Sequence, residues 1–193
     1  SETGRITLGC AGIYTENQMV EWKKITDFIH QNSSAKIGIQ LGHSGRKGAT
    51  KKPWETEDLQ DKWNLISASP IAFNENSPIP KEMTLEDMNT ITEQFVQATI
   101  NANEAGFDLI ELQAHHGFLL ASFLSPLTNI RTDEFGGSVE NRLKFPIRVF
   151  KAMRDVFPIE KPMSVRISAT DWAENGISEE DVFTISTAFK EAG

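Results

Sequence analysis

The chain has 193 residues, of which 39% are hydrophobic and 24% charged, and its formal net charge at pH 7 is −8. This composition is typical of a globular protein with a hydrophobic core, and the acidic balance argues against nucleic-acid and membrane partners. No segment reaches the roughly 20 apolar residues of a membrane helix, and the N-terminus has no signal-peptide pattern, so we expect a cytoplasmic protein. The single Cys10 cannot form an internal disulfide, and no Cys or His spacing predicts a metal site.

The first part of the chain predicts a helix followed by a strand. Thr15 and Gln18 form a capping-box pattern, and the apolar residues that follow lie on one side of a helix. Residues 36–41 are short, mostly apolar and bounded by polar turns, which favours a strand buried on both faces. The residues that we expect on the buried side of the helix are Val20, Trp22, Ile25, Phe28 and Ile29.

A long loop is predicted over residues 43–83. This segment has no helical periodicity and contains four prolines between residues 49 and 83. Loops of this length are usually functional, so we expect it to lie over one end of the fold and to contain a small hairpin. Trp54 and Trp63 can form the wall of a ligand site or pack within such a hairpin, and the sequence leaves both interpretations open.

The second half alternates helices with strands, which implies parallel β/α units. An open doubly wound sheet and a closed (β/α)8 barrel both fit this order. Residues 42–45 lack the third glycine of a dinucleotide-binding turn, which counts against the open sheet. The predicted elements of this half are a helix from Thr84 to Gly106, a strand over residues 107–112, a helix from Ser138, a strand over residues 163–167 and a helix from Ser178.

Polar residues follow the three predicted strands, at the ends where β/α folds place their functional groups. Arg166 stands within an apolar strand, and burying an unpaired charge costs several kcal/mol. It therefore predicts an anionic partner, either Glu111 in an internal salt bridge or a bound ligand. Gln40 offers one donor and one acceptor, which suits a planar heterocycle or a hydrogen-bonded core amide. The strand-end residues are Gln40, His43, Gln113, His115, His116, Arg166 and Ser168.

Residues 123–142 read Phe-Leu-Ser-Pro-Leu-Thr-Asn-Ile-Arg-Thr-Asp-Glu-Phe-Gly-Gly-Ser-Val-Glu-Asn-Arg. This segment resembles the signature of the old yellow enzyme family of FMN-dependent NAD(P)H oxidoreductases. Ile-Gln-Leu at residues 39–41, His-Ser-Gly-Arg at 43–46 and the strand around Arg166 follow the order found in that family. Residues 4–10 and 110–113 are most similar to the reductase half of the salicylyl-CoA and 2-aminobenzoyl-CoA monooxygenase/reductases.

The resemblance implies a (β/α)8 barrel with FMN at its carboxyl-end mouth, Gln40 on the flavin pyrimidine edge and Arg166 near N1 and O2. Hydride would pass from NADH or NADPH to flavin N5, and then to a small activated substrate conjugated to a carbonyl. Gln113 and His116 occupy the positions of the pair that holds this carbonyl, while the neighbouring His115 points away. Lys47 is at a position that faces the substrate in some relatives.

Two positions depart from the family pattern. Gln113 replaces the usual His, which keeps a hydrogen-bond donor but removes a titratable group. Phe118 stands where many ene-reductases have the Tyr that protonates the α-carbon. We therefore expect weak ene-reductase activity, protonation by another group, or a special substrate such as an aryl-CoA ring.

The length of the chain is a third departure. A complete barrel of this type takes about 250 residues, and the resemblance assigns the three predicted strands as the third, fourth and fifth. We expect residues 1–193 to be an incomplete (β/α)8 domain whose missing remainder completes the barrel, and to be inactive on their own. A non-catalytic half-barrel is the alternative, and the narrower resemblance suggests fusion to a flavin monooxygenase domain.

Overall fold

The computed structural model describes residues 1–57, 59–60 and 62–193. Helices and strands alternate through most of this part of the chain, as the sequence predicts. In chain order the elements are α1 (Glu16–Asn32), β1 (Gly38–Leu41), a short 3-10 turn (Gly45–Lys47), β2 (Ile66–Ser67), β3 (Lys81–Glu82), α2 (Leu85–Glu104), β4 (Leu109–Ala114), α3 (Leu119–Leu124), α4 (Val139–Val156), β5 (Met163–Ile167) and α5 (Glu179–Glu191).

The helices begin where the sequence places their caps. The Thr15 side chain accepts a hydrogen bond from the backbone N–H of Gln18, and the Gln18 side-chain oxygen accepts one from the backbone N–H of Thr15. Such reciprocal bonds satisfy N–H groups that the first turn of a helix leaves free. The same capping box begins α2 at Thr84 and α5 at Ser178, and the Ser138 side chain caps α4.

The main sheet contains β1, β4 and β5 in the order β1-β4-β5, with both pairs parallel. Its two faces differ because side chains alternate along each strand. One face is apolar and packs against the helices: Leu41, Ile110 and Leu112 share a core with Phe95 of α2 and Phe150 of α4. Full burial of each such side chain contributes roughly 1.5–3 kcal/mol. The opposite face carries polar side chains.

Strand β1 differs from the prediction that both of its faces are buried. Leu41 is buried, but Gly38 and Gln40 are exposed. This strand lies at the edge of the sheet, and its second side faces the polar surface rather than a helix layer. The apolar residues of segment 36–41 therefore pack on one face of the strand only, and its other face is exposed.

Helix α1 packs through a different side from the one predicted. Val20, Ile25 and Phe28 are 43%, 46% and 66% exposed, so the assignment of Phe28 to the core is wrong. The contact is made instead by Trp22, whose ring lies edge-on to Phe107 at 5.7 Å, and by the buried Thr26. The Thr26 hydroxyl donates to the backbone oxygen of Ala105, so a polar contact rather than the apolar pattern orients this helix.

The long segment after β1 contains no hairpin between its two short strands. Strands β2 and β3 pair in parallel, with Ile66 opposite Lys81 and Ser67 opposite Glu82. A hairpin would require antiparallel strands. In the same segment Trp54 is 77% exposed, while the Trp63 ring lies beneath the Arg5 guanidinium at 5.1 Å.

Candidate active site

The polar face of the sheet carries a hydrogen-bonded group that we call the amide network, formed by Gln40, Glu111, Gln113 and Ser164. Strand register places Gln40 opposite Glu111, and Glu111 opposite Ser164. Gln40 Nε2 donates to Glu111 Oε1 at 2.6 Å, and Gln113 Nε2 donates to Gln40 Oε1 at 3.2 Å. Ser164 Oγ donates to Glu111 Oε2 at 3.3 Å. The network therefore joins all three strands.

Gly42 makes room for this network at the end of β1. A Cβ atom at this position would overlap the Gln113 side-chain oxygen. Any other residue would displace the Gln113 amide from its place beside Gln40.

Arg166 lies on the same face, directly opposite Gln113 in the strand register. The prediction that Arg166 is buried is wrong, because β5 is an edge strand and this side chain points to the exposed face. Within the described residues its guanidinium forms no salt bridge with Glu111, whose oxygens accept from Gln40 and Ser164. A cation is thus presented beside the Gln113 amide, and no carboxylate of the described residues forms an ion pair with it.

Strand β4 ends two residues later than predicted, at Ala114, and a left-handed turn follows. His116 and Gly117 both have positive φ, 55° and 67°. The backbone N–H of His116 donates to Ser168 Oγ at 3.0 Å, and its carbonyl accepts from Lys47 Nζ at 2.5 Å. These contacts from two other segments hold a residue conformation that is uncommon for histidine. The His116 side chain remains exposed.

Lys47 lies between two aromatic rings at this end of the sheet. Its Nζ is 4.3 Å from the ring centre of Phe73 and 5.6 Å from that of Phe118. Burial, together with the nearby Arg46 charge, lowers the pKa of Lys47. The structure therefore brings together Lys47, His116 and Phe118. Phe73 also belongs to this group, although the sequence did not predict it, because no residue spacing in the long loop relates Phe73 to the site.

His115 is buried next to this group. Its ring is perpendicular to the His116 ring at 4.2 Å and lies 6.2 Å from Phe118. Within the described residues neither ring nitrogen of His115 has a hydrogen-bond partner. Burial lowers the pKa of His115, the charges of His116 and Arg166 lower it further, and Glu111 opposes them. The neutral imidazole is therefore favoured.

The signature segment 123–142 has a structural role around the site. Asn129 Nδ2 donates to the backbone oxygens of Phe123 and Phe135, both at 2.8 Å. Arg142 donates to the Leu124 oxygen at 2.7 Å and pairs with Asp181 at 2.9 Å. These side chains satisfy backbone oxygens at the carboxyl end of α3 and in the turn that contains Phe135.

Arg131, from the same segment, holds the two short strands. Its Nη1 donates to the backbone oxygens of Ala68 and Met83, both at 2.9 Å. Its other nitrogens pair with Asp133, and its side chain is only 6% exposed. The Arg131 guanidinium thus attaches the long loop to the signature segment, together with the hydrogen bond from the Ile130 N–H to Ser69 Oγ at 3.0 Å.

A cavity of about 520 Å³ adjoins the amide network. The N-terminal segment, β1 and α2 line it, and Gln40 and Gln113 lie on its wall. It lies beside β1, which is an edge strand of the sheet. Space for a ligand or for further chain is therefore present next to the two amides.

The described residues form neither a metal cluster nor a membrane-spanning helix. In residues 1–57, 59–60 and 62–193, no three His, Cys, Asp or Glu side chains converge as they would around a metal ion. None of the helices in the same ranges is both long enough and apolar enough to cross a membrane.

Comparison with known proteins defines the class. Residues 1–193 match the NADH:flavin oxidoreductase / NADH oxidase family, and the chain belongs to that family. It is 41% identical over 190 residues to NADH:flavin oxidoreductase FG08077 of Gibberella zeae, a match that covers 93% of this chain and 45% of the relative. It is 40% identical over 190 residues to NADPH dehydrogenase of Bacillus subtilis, covering 98% of this chain and 52% of that protein. The chain spans about half the length of these curated relatives.

Solved structures agree with the sequence relatives. The fold is similar to that of morphinone reductase, with a TM-score of 0.84 and 26% identity, over 100% of this chain and 54% of that one. It is also similar to a 2-naphthoyl-CoA reductase in complex with 2-naphthoyl-CoA, with a TM-score of 0.85 and 26% identity, over 98% of this chain and 29% of that one. The prediction of a partial (β/α)8 barrel of the old yellow enzyme type is therefore confirmed.

Proposed function

We propose that this chain is part of an FMN-dependent NAD(P)H oxidoreductase acting on a substrate conjugated to a carbonyl group. The observation that carries the proposal is the polar face of the sheet. There, the Gln113 amide lies opposite Arg166 and is bonded to the Gln40 amide, and no carboxylate of the described residues neutralises Arg166. Membership of the NADH:flavin oxidoreductase / NADH oxidase family supports the cofactor and the reductant.

The residues present suit the flavin. Gln40 donates one N–H to Glu111 and accepts from Gln113, which leaves it one N–H and one lone pair. That pair matches the alternating C=O and N–H groups of a pyrimidine edge. Arg166 would hold the adjacent N1 and O2 atoms and stabilise the negative charge of the reduced ring. When bound, FMN supplies hydride transfer from NADH or NADPH to the substrate.

The substrate side of the site is formed by Gln113, His116, Lys47 and Phe118. Gln113 keeps an N–H that can donate to the substrate carbonyl as enolate charge develops on its oxygen. The exposed His116 supplies a second donor at the same strand end. Phe118 has no hydroxyl and cannot deliver a proton. Its ring forms an apolar wall beside the Lys47 cation.

Within this class we propose an aryl-CoA thioester as the substrate. The absence of a hydroxyl at position 118 and the aromatic rings of Phe73 and Phe118 support a planar ring substrate over a simple enone. The structural similarity to a 2-naphthoyl-CoA reductase in complex with its CoA thioester supports the same class. A generic α,β-unsaturated carbonyl is the second candidate, since Gln113 and His116 can hold any carbonyl. Similarity to proteins named NADPH dehydrogenase and morphinone reductase favours it.

We further propose that additional chain completes this site. Three parallel strands cannot close a barrel, and barrel phosphate sites usually come from loops after the seventh and eighth strands. Fusion to a flavin monooxygenase domain belongs to the same proposal and rests only on the resemblance of residues 4–10 and 110–113. The experiments below therefore use the full-length protein.

Flavin binding tests the proposal directly. The full-length protein should purify with flavin absorbance near 450 nm, and Arg166→Ala should raise the FMN dissociation constant about tenfold or more, since hydrogen bonds to charged groups contribute about 1.5–3 kcal/mol. Lys151→Ala, which removes an exposed charge from α4, is the matched control and should leave FMN affinity unchanged. A protein that stays colourless with added FMN would favour the non-catalytic half-barrel. Unchanged affinity and reduction potential in Arg166→Ala would remove that residue from its role.

A further inference from the structure

Glu111 occupies the centre of the amide network. It lies opposite Gln40 of β1 and Ser164 of β5 in the strand register. Both of its oxygens accept hydrogen bonds, Oε1 from Gln40 at 2.6 Å and Oε2 from Ser164 at 3.3 Å. Neither of the roles assigned to Gln40 and Gln113 explains why a carboxylate stands between the strands.

The carboxylate determines how the two amides are oriented. An amide can present either its oxygen or its nitrogen to a neighbour, whereas a carboxylate only accepts hydrogen bonds. Gln40 must therefore turn its NH2 group toward Glu111, which leaves its oxygen for the next residue. Gln113 must in turn direct its NH2 group toward Gln40, as observed at 3.2 Å.

Gly42 leaves room for the Gln113 amide on the other side. The Gln113 oxygen lies against the Gly42 backbone, in space that a Cβ atom would occupy. The Gln113 nitrogen, with one N–H bound to Gln40, keeps its second N–H free. If both amides were reversed, Gln113 would present an oxygen to the substrate carbonyl, which would be repulsive.

We propose that Glu111 is a positioning residue that orients Gln40 and Gln113 so that Gln113 presents an N–H to the substrate carbonyl. This inference rests on the proposed function of Gln113. Glu111 is occupied by Gln40 and Ser164 rather than by Arg166, so the guanidinium charge stays available on the same face. Glu111 thus acts on the substrate through the amides of Gln40 and Gln113, without contacting the substrate itself.

A double-mutant cycle in the full-length protein tests this role. Glu111→Gln keeps the size of the side chain but lets it donate, so the orientation of the amides is no longer defined. The measured quantity is the rate at which 2-cyclohexen-1-one reoxidises the reduced flavin in stopped flow. We expect Glu111→Gln and Gln113→Ala each to slow this step about tenfold, as the loss of a hydrogen bond to a charged group would. The double variant should be no slower than Gln113→Ala.

Glu160→Gln, an exposed carboxylate far along the chain, is the matched control and should retain the wild-type rate. An unchanged rate in Glu111→Gln, or effects that multiply in the double variant, would overturn the positioning role while leaving the proposed function in place. Loss of flavin absorbance in Glu111→Gln alone would also overturn it, because Glu111 would then act in cofactor binding. An unchanged rate in Gln113→Ala would refute the substrate role of Gln113 and the inference with it.

Discussion

Phe118 is the residue that most affects the expected chemistry. It lies just after β4, with Lys47 on one side and His115 on the other. An aromatic ring without a hydroxyl keeps the wall of the site apolar but provides no proton. The fate of the proton therefore depends on other groups or on the substrate.

Phe118→Tyr should raise turnover of a simple enone about tenfold or more, because a positioned proton donor typically contributes a factor of 10² to 10⁴. Turnover of 2-cyclohexen-1-one with NADPH is the measurement. Phe73→Tyr adds a hydroxyl on the other ring that contacts Lys47 and should give no comparable gain. Equal turnover in Phe118→Tyr and wild type would contradict the idea that position 118 limits protonation.

His43 is a buried histidine whose charge state matters for folding. Its Nδ1 accepts from the Gly45 N–H at 3.0 Å, and within the described residues its Nε2 has no partner. Burial lowers the pKa of His43 from 6.5 to about 3. The folded state therefore favours the neutral ring. Its stabilising contribution is complete above pH 6.5 and is lost as the pH falls from 6.5 toward 3.

His43→Asn should remove this pH dependence, because Asn can accept from the Gly45 N–H but does not titrate. Between pH 7.5 and pH 5.0 the wild type should lose about 2 kcal/mol more unfolding free energy than the variant. Urea denaturation at both pH values measures the difference. Parallel losses in the two proteins would show that His43 is accessible to protons in the folded state.

The residue types at the strand ends predict part of the site, but they do not predict which side chains contact one another. Gln40, Gln113 and Arg166 stand out because polar groups interrupt apolar strands. The role of Glu111 depends on strand register, which the sequence does not define before the strands are paired. Phe73 lies in a segment with no periodicity, so nothing relates it to Lys47 until the loop is folded.

At the scale of elements, the signature segment stabilises loops. Arg131 donates to the oxygens of Ala68 and Met83 and thereby supports the parallel pair of β2 and β3. A two-residue pairing contributes few hydrogen bonds of its own. The long loop over the strand ends therefore depends on this guanidinium for its position.

Arg131→Met should lower the unfolding free energy by about 2–4 kcal/mol, since the buried backbone oxygens of Ala68 and Met83 lose their donor. Limited proteolysis should also become faster within residues 68–83. Arg148→Met on α4, where the arginine contacts only the Asn89 side chain in the structure, is the control and should cost less than about 1 kcal/mol. A similar small loss in both variants would contradict the structural role of Arg131.

Element starts were more predictable than element surroundings. Thr15, Thr84 and Ser178 cap helices as predicted, because capping depends on residues close in sequence. The prediction of the buried side of α1 was wrong, because Thr26 and Trp22 make the contact of this helix with the rest of the fold. The prediction of a hairpin was wrong, because β2 and β3 pair in parallel. Arg131, which is far away in sequence, donates hydrogen bonds next to both strands, and no local pattern indicates this contact.

At the scale of the whole molecule, the parallel β/α order was predictable, because strands that alternate with helices have few alternatives. The exposure of Arg166 was not predictable from the sequence. Burial of a strand residue depends on what covers the other face of the sheet, and the described residues place no helix layer there. The length of the chain and the family resemblance predict an incomplete barrel, and relatives about twice as long are consistent with that prediction.

One face of the sheet contributes to the stability of the fold, and the other face carries the residues of the proposed site. Helices α2 and α4 cover the apolar face, while Gln40, Gln113 and Arg166 stand on the other. Substitutions that change which molecule is accepted can therefore accumulate at the strand ends and in the long loop without altering the helix layer. Conversely, changes at Phe150, which lies in the core away from the cavity lining, should alter stability with little consequence for selectivity. This division gives the protein room to evolve a new specificity on an unchanged foundation.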